Sequence, residues 1–412
     1  MNILLLSYYA PPLNSITSFR AYTLAKYLGD KHKVILVSKY WDGTENTWEE
    51  MLSSNPNQKI KKEANFDIHF LPYKQLEFSN NPVIRKIKKY HNSIRNIIAN
   101  DIDTLQFSTY CDQIIQEKNI DLIFATAPPY NILSLANLLS MRHNCFFIAD
   151  FRDLLNNIIL KKDRAFSLSN QIELFFTKRY LKKHLSNANL INTASEPFTD
   201  YLKLYGFNNV ETVLNGFESE VFENIESKTN QTFEVTLIGT LYPEQNLDYL
   251  IGGFTKFIQE KSSDKIRINF IGVGTIPEVS KTIVESLDNE FIKVTSKIPR
   301  EEALQIAKKS QVLFYAGWDK YVGIYSGKIF EYLGLRKNIL IAPGDQDVID
   351  KLILKTNSGK IANSALEVSN VLNEWYDEWE ENKQLRYHGT SIENYSRKKQ
   401  YEPILKFITS LE

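Results

Sequence analysis

Short, continuously apolar runs alternate with longer amphipathic stretches in the first half of the chain. Runs such as Ile3–Leu6 are typical of parallel strands buried on both faces, and apolar positions recurring every three to four residues predict the helices between them. Strands are predicted at Ile3–Ser7, Lys33–Ser38, Asp121–Thr126, Cys145–Asp150, Asn189–Thr193 and Val210–Leu214. Helices are predicted at Thr17–Leu28, Tyr130–Arg142, Leu168–His184 and Pro197–Tyr205. This order favours a doubly wound α/β sheet.

The alternation restarts after a polar stretch, Glu218–Thr232, which we interpret as a linker. Strands are predicted at Phe233–Gly239, Lys265–Ile271, Phe291–Thr295, Val312–Tyr315 and Asn338–Ile341. Helices are predicted at Asn246–Glu260, Pro277–Leu287, Arg300–Lys309 and from the Ser326-Gly327 turn onward. We therefore predict two Rossmann-like, doubly wound parallel-sheet domains, residues 1–215 and 216–390, facing each other across a cleft. The helical pattern in residues 391–412 is expected to cross back to the first domain.

Composition and charge narrow the class of protein. The 412 residues fit two domains, and 49 basic residues balance 49 acidic ones, which disfavours a nucleic-acid partner. The two cysteines, Cys111 and Cys145, suit a reducing cytoplasm and form no metal-ligand cluster, and the six histidines show no metal spacing. The apolar N-terminal run is interpreted as a strand rather than a signal peptide, and no run approaches the roughly 18 apolar residues of a membrane helix.

The segment Ser326–Ala342 carries the clearest candidate chemistry. A glycine-containing turn opens a short helix there, so free amides and Lys328 are expected at a helix N-terminus, where a diphosphate would bind. Glu331, one turn later, could accept hydrogen bonds from ribose hydroxyls. The alternative is an ordinary helix–strand unit with a surface Glu–Lys pair.

A second candidate group follows the strand that ends at Asp150. Asp150, Arg152 and Asp153 lie at a strand's carboxyl end, where ligands bind in such sheets, and either carboxylate is plausible as the functional one. The alternative is an Arg–Asp pair that caps a loop. The spaced set Asp345, Asp347 and Asp350 is interpreted as an acidic helix start, so no metal site is expected.

Four motifs and their order carry a family resemblance. They are Tyr8-Tyr9-Ala10-Pro11-Pro12 followed by Arg20, the run Asp121–Pro129, the run Ile148–Asp153, and the segment ending in Glu331. Asn215-Gly216-Phe217 and Leu237–Leu241 also fall in place. Together they resemble the group 1 (family 4) retaining glycosyltransferases with the GT-B fold, in the bacterial surface-polysaccharide branch.

The resemblance implies an enzyme that moves a sugar, with retention, from a nucleotide-diphosphate sugar to a glycan or polyprenyl-linked acceptor. It implies no metal and no cofactor beyond the donor substrate. The residues expected to take part in catalysis are Lys328, Asp150, Arg152 and Asp153. The residues expected to bind the donor are Glu331, Ser326, Gly327, Gly323, Tyr325, Gly239, Thr240, Ile298 and Asn14. Tyr325 could equally pack in the core.

The chain departs from the family pattern at two places. Gly323 replaces the first glutamate of the Glu-x7-Glu pair, which leaves the donor sugar undetermined. Thr240 and Gln245 occupy the usual Arg and Lys positions, so Lys328 is expected to carry more of the phosphate binding, with Arg336 or Lys337 as outside candidates. These departures leave a non-catalytic nucleotide-sugar-binding subunit as one alternative. A nucleotide-sugar epimerase on the same two-domain scaffold is the other.

A basic amphipathic pattern recurs in two segments. Residues 83–98 combine an isoleucine-rich stripe with Lys86, Lys88 and Lys89, and the Leu168–His184 helix carries a second basic group, Lys178, Arg179, Lys182 and Lys183. Such helices can lie on an anionic membrane, so the expected location is the cytoplasm with contact to the inner face of the cell membrane. The alternative is a domain helix that packs its apolar stripe inward.

Overall fold

The computed structural model describes residues 1–13, 16–39, 59–71, 81, 102–155, 160, 167–223, 231–245, 247–318 and 320–412. Asn14 and the basic segment 83–98 lie outside these ranges. The chain divides into two compact units. The N-terminal unit comprises Met1–Asn157, Ala165–Val213 and Tyr401–Glu412. The C-terminal unit comprises Ile158–Arg164 and Leu214–Gln400.

The described part of the N-terminal unit is built on an eight-stranded sheet in the order β3-β4-β2-β1-β5-β6-β7-β8. All neighbouring strands are parallel except β3, which runs antiparallel to β4 at the edge. The strands are β1 Asn2–Ser7, β2 Lys33–Lys39, β3 Lys59–Lys62, β4 Asp67–Leu71, β5 Leu122–Ala127, β6 Phe146–Phe151, β7 Leu190–Thr193 and β8 Val210–Thr212. The described helices are α1 Ile16–Gly29, α2 Ile102–Lys118, α3 Asn131–His143, α4 Leu168–His184 and α5 Glu196–Leu204.

The end of the chain completes the core of the N-terminal unit. The last helix, α13 (Arg397–Thr409), contributes Tyr401, Ile404 and Ile408 to the cluster that also contains Ile3 and Leu5 of β1. The Tyr401 hydroxyl donates to the Arg20 carbonyl at 3.1 Å. Burial of these side chains therefore ties the C-terminal residues to the first strand.

The described part of the C-terminal unit contains a six-stranded, fully parallel sheet in the order β11-β10-β9-β12-β13-β14. The strands are β9 Phe233–Ile238, β10 Ile266–Ile271, β11 Ile292–Val294, β12 Val312–Ala316, β13 Asn338–Ala342 and β14 Gly359–Ile361. The helices are α6 Ser219–Glu223, α7 Asp248–Lys261, α8 Pro277–Ser286, α9 Arg300–Lys309, α10 Gly327–Leu335, α11 Val348–Thr356 and α12 Ala365–Asn382, together with short 3-10 turns at Val273–Thr275 and Ile392–Tyr395. Two buried clusters cover the sheet, one rich in α7 and α12 side chains and the other in α10 and α11 side chains.

The predicted fold class, two doubly wound parallel-sheet units, is confirmed. The sequence prediction missed α2, α6, α11, α12 and three peripheral strands, β3, β4 and β14, and α6 lies at the start of the stretch predicted as a linker. β3 has the sequence Lys-Ile-Lys-Lys and all four of its residues are exposed, so it lacks the buried apolar run by which the other strands were recognised. The helical pattern predicted from residue 391 is a 3-10 turn followed by α13. No helix in the described ranges is both long and apolar enough to cross a bilayer.

Candidate functional site

The start of α10 presents an anion-binding arrangement in the C-terminal unit. Ser326 caps the helix in an extended conformation, and its Oγ accepts a hydrogen bond of 3.3 Å from the Lys328 amide. Gly327, the first helical residue, is buried. Free amides at a helix start carry partial positive charge, so this turn favours a phosphate.

Lys328 reaches from this turn to the loop that follows β9. Its Nζ donates to the Thr240 carbonyl at 2.9 Å. Gly239 has a φ of +92°, and a Cβ there would lie 2.5 Å from Lys328 Cε. A side chain at Gly239 would therefore displace the lysine. The structure thus brings together Lys328, Gly239 and Thr240, all three of which were predicted to bind the donor.

The charge state of Lys328 responds to its surroundings. Burial lowers the pKa of the Lys328 ammonium to about 8, and the neighbouring Glu331 carboxylate partly offsets this effect. The ammonium is still the majority form at neutral pH, and a bound diphosphate would stabilise it further.

Glu331 is held by an ion pair that the sequence did not reveal. Arg300 Nε donates to Glu331 Oε1 at 2.6 Å, and the two side chains are 18% and 17% exposed. Arg300 is the first residue of α9 and follows Ile298, which is half-buried in the connecting loop. A half-buried, charge-assisted contact of this kind fixes the orientation of the carboxylate. The only signal in the sequence was the position of Arg300 next to Ile298.

Tyr332 anchors α10 to two strands. Its buried hydroxyl accepts a hydrogen bond from the Ile238 amide at 2.8 Å and donates to the Phe314 carbonyl at 3.2 Å. These contacts fix the helix against the carboxyl end of β9 and the middle of β12. Because Lys328 and Glu331 precede Tyr332 on the same short helix, their positions relative to Gly239 are fixed too.

The two outside candidates for phosphate binding lie at the wrong end of α10. Arg336 is the C-terminal cap, with a φ of 54°, and its guanidinium pairs with Glu393. Lys337 follows it, and burial lowers its pKa to about 8. A nine-residue helix is about 13 Å long, which separates both cations from the helix start. Of these three cations, Lys328 is therefore the one placed to bind a phosphate at the helix start.

The loop between β12 and α10 carries aromatic side chains. The Trp318 ring lies 5.7 Å from the rings of both Tyr242 and Tyr321. Trp318 and Tyr321 line a small pocket together with Tyr315 and Ile341. Gly323, with a φ of 74°, allows the backbone to turn there. Tyr325, by contrast, packs against Phe330 with a ring distance of 5.5 Å, which matches the core-packing alternative for this residue.

Gln245 braces the loop that follows Gly239. It is buried, its Nε2 donates to the Ala316 carbonyl at 2.7 Å, and its Oε1 accepts from the Tyr242 amide at 3.0 Å. Gln245 therefore closes the loop onto the end of β12. Its contacts give it a structural part in the site.

In the N-terminal unit, Asp150 lies in a buried ion pair. Arg20 Nε and Nη2 donate to its two carboxylate oxygens at 2.9 and 2.7 Å, and the Thr126 hydroxyl donates at 2.7 Å. Arg20 also donates to the Val213 carbonyl at 3.0 Å. Both charged groups are almost fully buried, and the carboxylate accepts three hydrogen bonds. This geometry gives Asp150 a role in holding α1 against β6.

Asp153 is the more accessible of the two predicted carboxylates. Its side chain is 57% exposed and accepts from Arg152 Nε at 3.2 Å, whereas Arg152 is mostly buried. The Tyr130 hydroxyl contacts the carbonyls of Asp153 and Leu154 at 3.1 and 2.5 Å, which holds the loop in place. Of the two carboxylates, Asp153 is therefore the one that a substrate can reach.

In the acidic set at the start of α11, the Asp345 carboxylate accepts hydrogen bonds from nearby backbone amides. The Asp345 carboxylate accepts from the amides of Asp347, Ile349 and Asp350 at 2.9 to 3.1 Å. Burial and the neighbouring Asp345 raise the pKa of Asp350. This is the helix-start arrangement that the sequence favoured, since a carboxylate there offsets the positive end of the helix.

Comparison with known proteins supports the fold. No protein-family model and no curated protein sequence matches the chain. Among solved structures, HepE from Anabaena, determined with UDP, with UDP and glucose, and with UDP-glucose, is similar over 100% of both chains; in the UDP-glucose complex the TM-score is 0.61 and the identity 13%. Sucrose-phosphate synthase from Thermosynechococcus elongatus is 11% identical with a TM-score of 0.60, over 100% of this chain and 98% of that one. A candidate UDP-N-acetylglucosamine 2-epimerase from Listeria monocytogenes is 11% identical with a TM-score of 0.55, over 99% and 96%. The chain therefore has the two-domain GT-B fold.

Proposed function

We propose that this protein is a glycosyltransferase that moves a sugar from a nucleotide-diphosphate sugar to a glycan or lipid-linked acceptor in surface-polysaccharide synthesis. The observation that carries the proposal is the start of α10, where the Lys328 side chain contacts the Gly239-Thr240 loop and Glu331 follows one turn later. This arrangement can bind a diphosphate and a ribose side by side.

The chemistry follows from where charge develops. Cleavage of the anomeric C–O bond leaves negative charge on the departing diphosphate, and a fixed ammonium and oriented amides stabilise that charge. The Lys328 ammonium and the amides of Ser326 and Gly327 supply both. Glu331, oriented by Arg300, accepts hydrogen bonds from the ribose hydroxyls. We assign the acceptor side to Asp153 and Arg152, and we expect retention of anomeric configuration and no metal requirement, as the family resemblance implies.

We take uracil as the base of the donor nucleotide. The support is that HepE, which shares the fold over its whole length, was determined with UDP and UDP-glucose. The half-buried Ile298 loop beside Arg300 is the expected place for base contacts. The sugar is left open, because Gly323 replaces the glutamate that contacts the donor sugar in many relatives.

A thermal-shift screen against UDP, GDP, ADP and CMP, with EDTA present, tests the donor site. A ligand that binds only the native state adds about 2.7 kcal/mol of stability at a hundredfold excess over its Kd. We expect UDP to raise Tm in the parent protein and to leave Glu331→Ala unchanged. A larger shift with another nucleotide would replace the base assignment, and no shift with any of them would contradict the donor site.

An epimerase is the second candidate, because the Listeria protein shares the fold. The two activities are separated by incubating the purified protein with UDP-sugars and following the products by NMR. Epimerisation without acceptor would support the second candidate. Nucleotide binding with neither reaction, even with acceptor preparations, would support a non-catalytic binding subunit.

A further inference from the structure

Helix α4 exposes a contiguous apolar stripe. Leu168, Ile172, Phe175 and Phe176 are 72%, 49%, 63% and 60% exposed. Their spacing of four, three and one residues places them on one face of the helix, and the two phenylalanine rings meet edge to face at 5.6 Å. Single exposed apolar residues are common on soluble proteins, but four on one helical face mark an interaction surface.

The opposite face of α4 attaches the helix to its unit. Thr177 and Leu181 are buried, and so is the capping residue Leu185. The exposed stripe is therefore not a misplaced core face. The helix is already packed, and it carries a second apolar face outward.

The outward face becomes basic toward the C-terminal end of α4, where Lys178, Arg179, Lys182 and Lys183 are exposed. At 100° per residue, Arg179 and Lys183 lie within the angular range of the apolar stripe, Lys182 lies about 20° outside it, and Lys178 lies about 60° outside it on the flank of the helix. Glu173 is the acidic residue of this helix, so four cations less one anion give a net charge of +3. We call this surface, from Leu168 to Lys183, the α4 outer face.

A neighbouring helix extends the α4 outer face. Leu204, at the end of α5, is 80% exposed. The next residue, Tyr205, has its ring 5.3 Å from Lys178 Nζ. Apolar side chains of α5 and its C-terminal cap therefore lie beside a cation of α4 at the edge of this surface.

We propose that the α4 outer face docks on an anionic phospholipid bilayer. Large apolar side chains at one end can enter the acyl boundary while the cations at the other end meet lipid phosphates, and long lysine and arginine stems allow both at once. The charge decides between occupants: a second copy of this surface would place its four cations against four more or against apolar side chains, whereas an anionic leaflet neutralises them. The docking rests on α4 and α5 alone and is independent of the proposed function.

Vesicle co-sedimentation of the intact protein tests the proposal. Vesicles containing phosphatidylglycerol and phosphatidylcholine are compared with vesicles of phosphatidylcholine alone. We expect sedimentation with the anionic vesicles that weakens as salt rises, because screening reduces the lipid–cation attraction.

Two variants separate the two parts of the surface. Phe175→Ser with Phe176→Ser removes apolar contact, and Lys182→Glu with Lys183→Glu reverses two cations; each should lower partitioning by more than about tenfold. The matched control is Leu354→Ser with Lys355→Glu on α11, where Leu354 is 71% exposed, and it should bind as the parent does. All four side chains on α4 are exposed, so circular dichroism should show parent-like folding.

Three outcomes would overturn the docking. The first is that the parent does not sediment with anionic vesicles. The second is that both α4 variants bind as strongly as the control. The third is that sedimentation velocity without lipid finds a dimer that Phe175→Ser with Phe176→Ser abolishes while vesicle binding is absent, which would assign the surface to a second copy of the chain.

Discussion

At the scale of single residues, the ammonium group of Lys328 is where burial and charge oppose each other. Burial disfavours the charged form and lowers the pKa to about 8, while Glu331 and any bound diphosphate favour it. The residue therefore combines a strong electrostatic contribution to binding with a charge that is lost only slightly above neutral pH.

This balance predicts a pH-dependent affinity. The diphosphate binds the protonated lysine, so above pH 8 binding must take up a proton, and UDP affinity should fall by up to about tenfold per pH unit. Phosphate ionises near pH 6, so the charge of the diphosphate is constant in this range. Calorimetric titrations at several pH values check it, and Lys328→Met should bind weakly with no such slope. A parent affinity that is constant between pH 7 and 9.5 would contradict the assignment.

The same residue sets the expected rate effect. Loss of one charge-stabilising donor at a leaving group costs about a hundredfold or more in turnover. We expect Lys328→Met to lose at least that much in a transfer or donor-hydrolysis assay, whereas Lys337→Met, at the far end of α10, should keep near-parent turnover. Equal losses in the two variants would show that the effect is not specific to the helix start.

Gly239 offers a second prediction at this scale. Gly239→Ala places a methyl group 2.5 Å from Lys328 Cε and should weaken UDP binding by moving the lysine. Gly206 has the same φ of +92°, with nothing within 4 Å of the added methyl, so Gly206→Ala carries the same backbone strain without the clash. Both variants should lose similar stability in denaturant titrations, and only Gly239→Ala should lose nucleotide affinity. Equal affinities would show that Lys328 has room to move.

At the scale of elements, the buried pair between α1 and β6 holds the N-terminal sheet. Arg20 and Asp150 satisfy each other, and Thr126 and Val213 complete their hydrogen bonds. Removal of one member leaves the other charged and buried, which costs about 3–5 kcal/mol, whereas an exposed pair contributes about 0–1 kcal/mol.

Arg20→Met should therefore lower the free energy of unfolding by about 3–5 kcal/mol. Asp153→Asn, which alters the exposed partner of the pair with Arg152, should leave the free energy of unfolding nearly unchanged and lower turnover instead. Urea titration and a transfer assay measure the two properties separately. If Arg20→Met were as stable as the parent and Asp153→Asn fully active, both assignments would fail.

At the scale of the whole molecule, the last helix, α13, packs against the core that contains the first strand, β1. Ile404 and Ile408 of α13 are buried in the cluster that contains β1, although hundreds of residues separate them in sequence. Ile404→Ala or Ile408→Ala should cost about 2–5 kcal/mol of stability, because each removes core packing and leaves a cavity. The exposed Lys406→Ala is the matched control on the same helix. A cost of less than about 0.5 kcal/mol at both isoleucines would mean that α13 is dispensable for the N-terminal core.

The sequence allowed the fold class to be predicted because the signals involved are local. Buried parallel strands are continuous apolar runs, and helices repeat their apolar positions with a period near 3.6, so elements such as β1 and α9 can be recognised without knowing their neighbours. Strands without a long apolar run were missed: β3 is a polar strand at the edge of its sheet, and β14 has only three residues. The turn at Ser326 was also local, since a serine cap and a glycine mark a helix start.

Tertiary structure alone decided which charged groups meet. Arg300 and Glu331 are 31 residues apart, Lys328 and Thr240 are 88 apart, and Arg20 and Asp150 are 130 apart. Such pairs depend on the order of strands within the sheet, which differs from their order along the chain. For the same reason the sequence left Asp150 and Asp153 equivalent, and it did not reveal that Phe175 and Phe176 point outward, because a helical period shows that two faces differ and not which of them the fold buries.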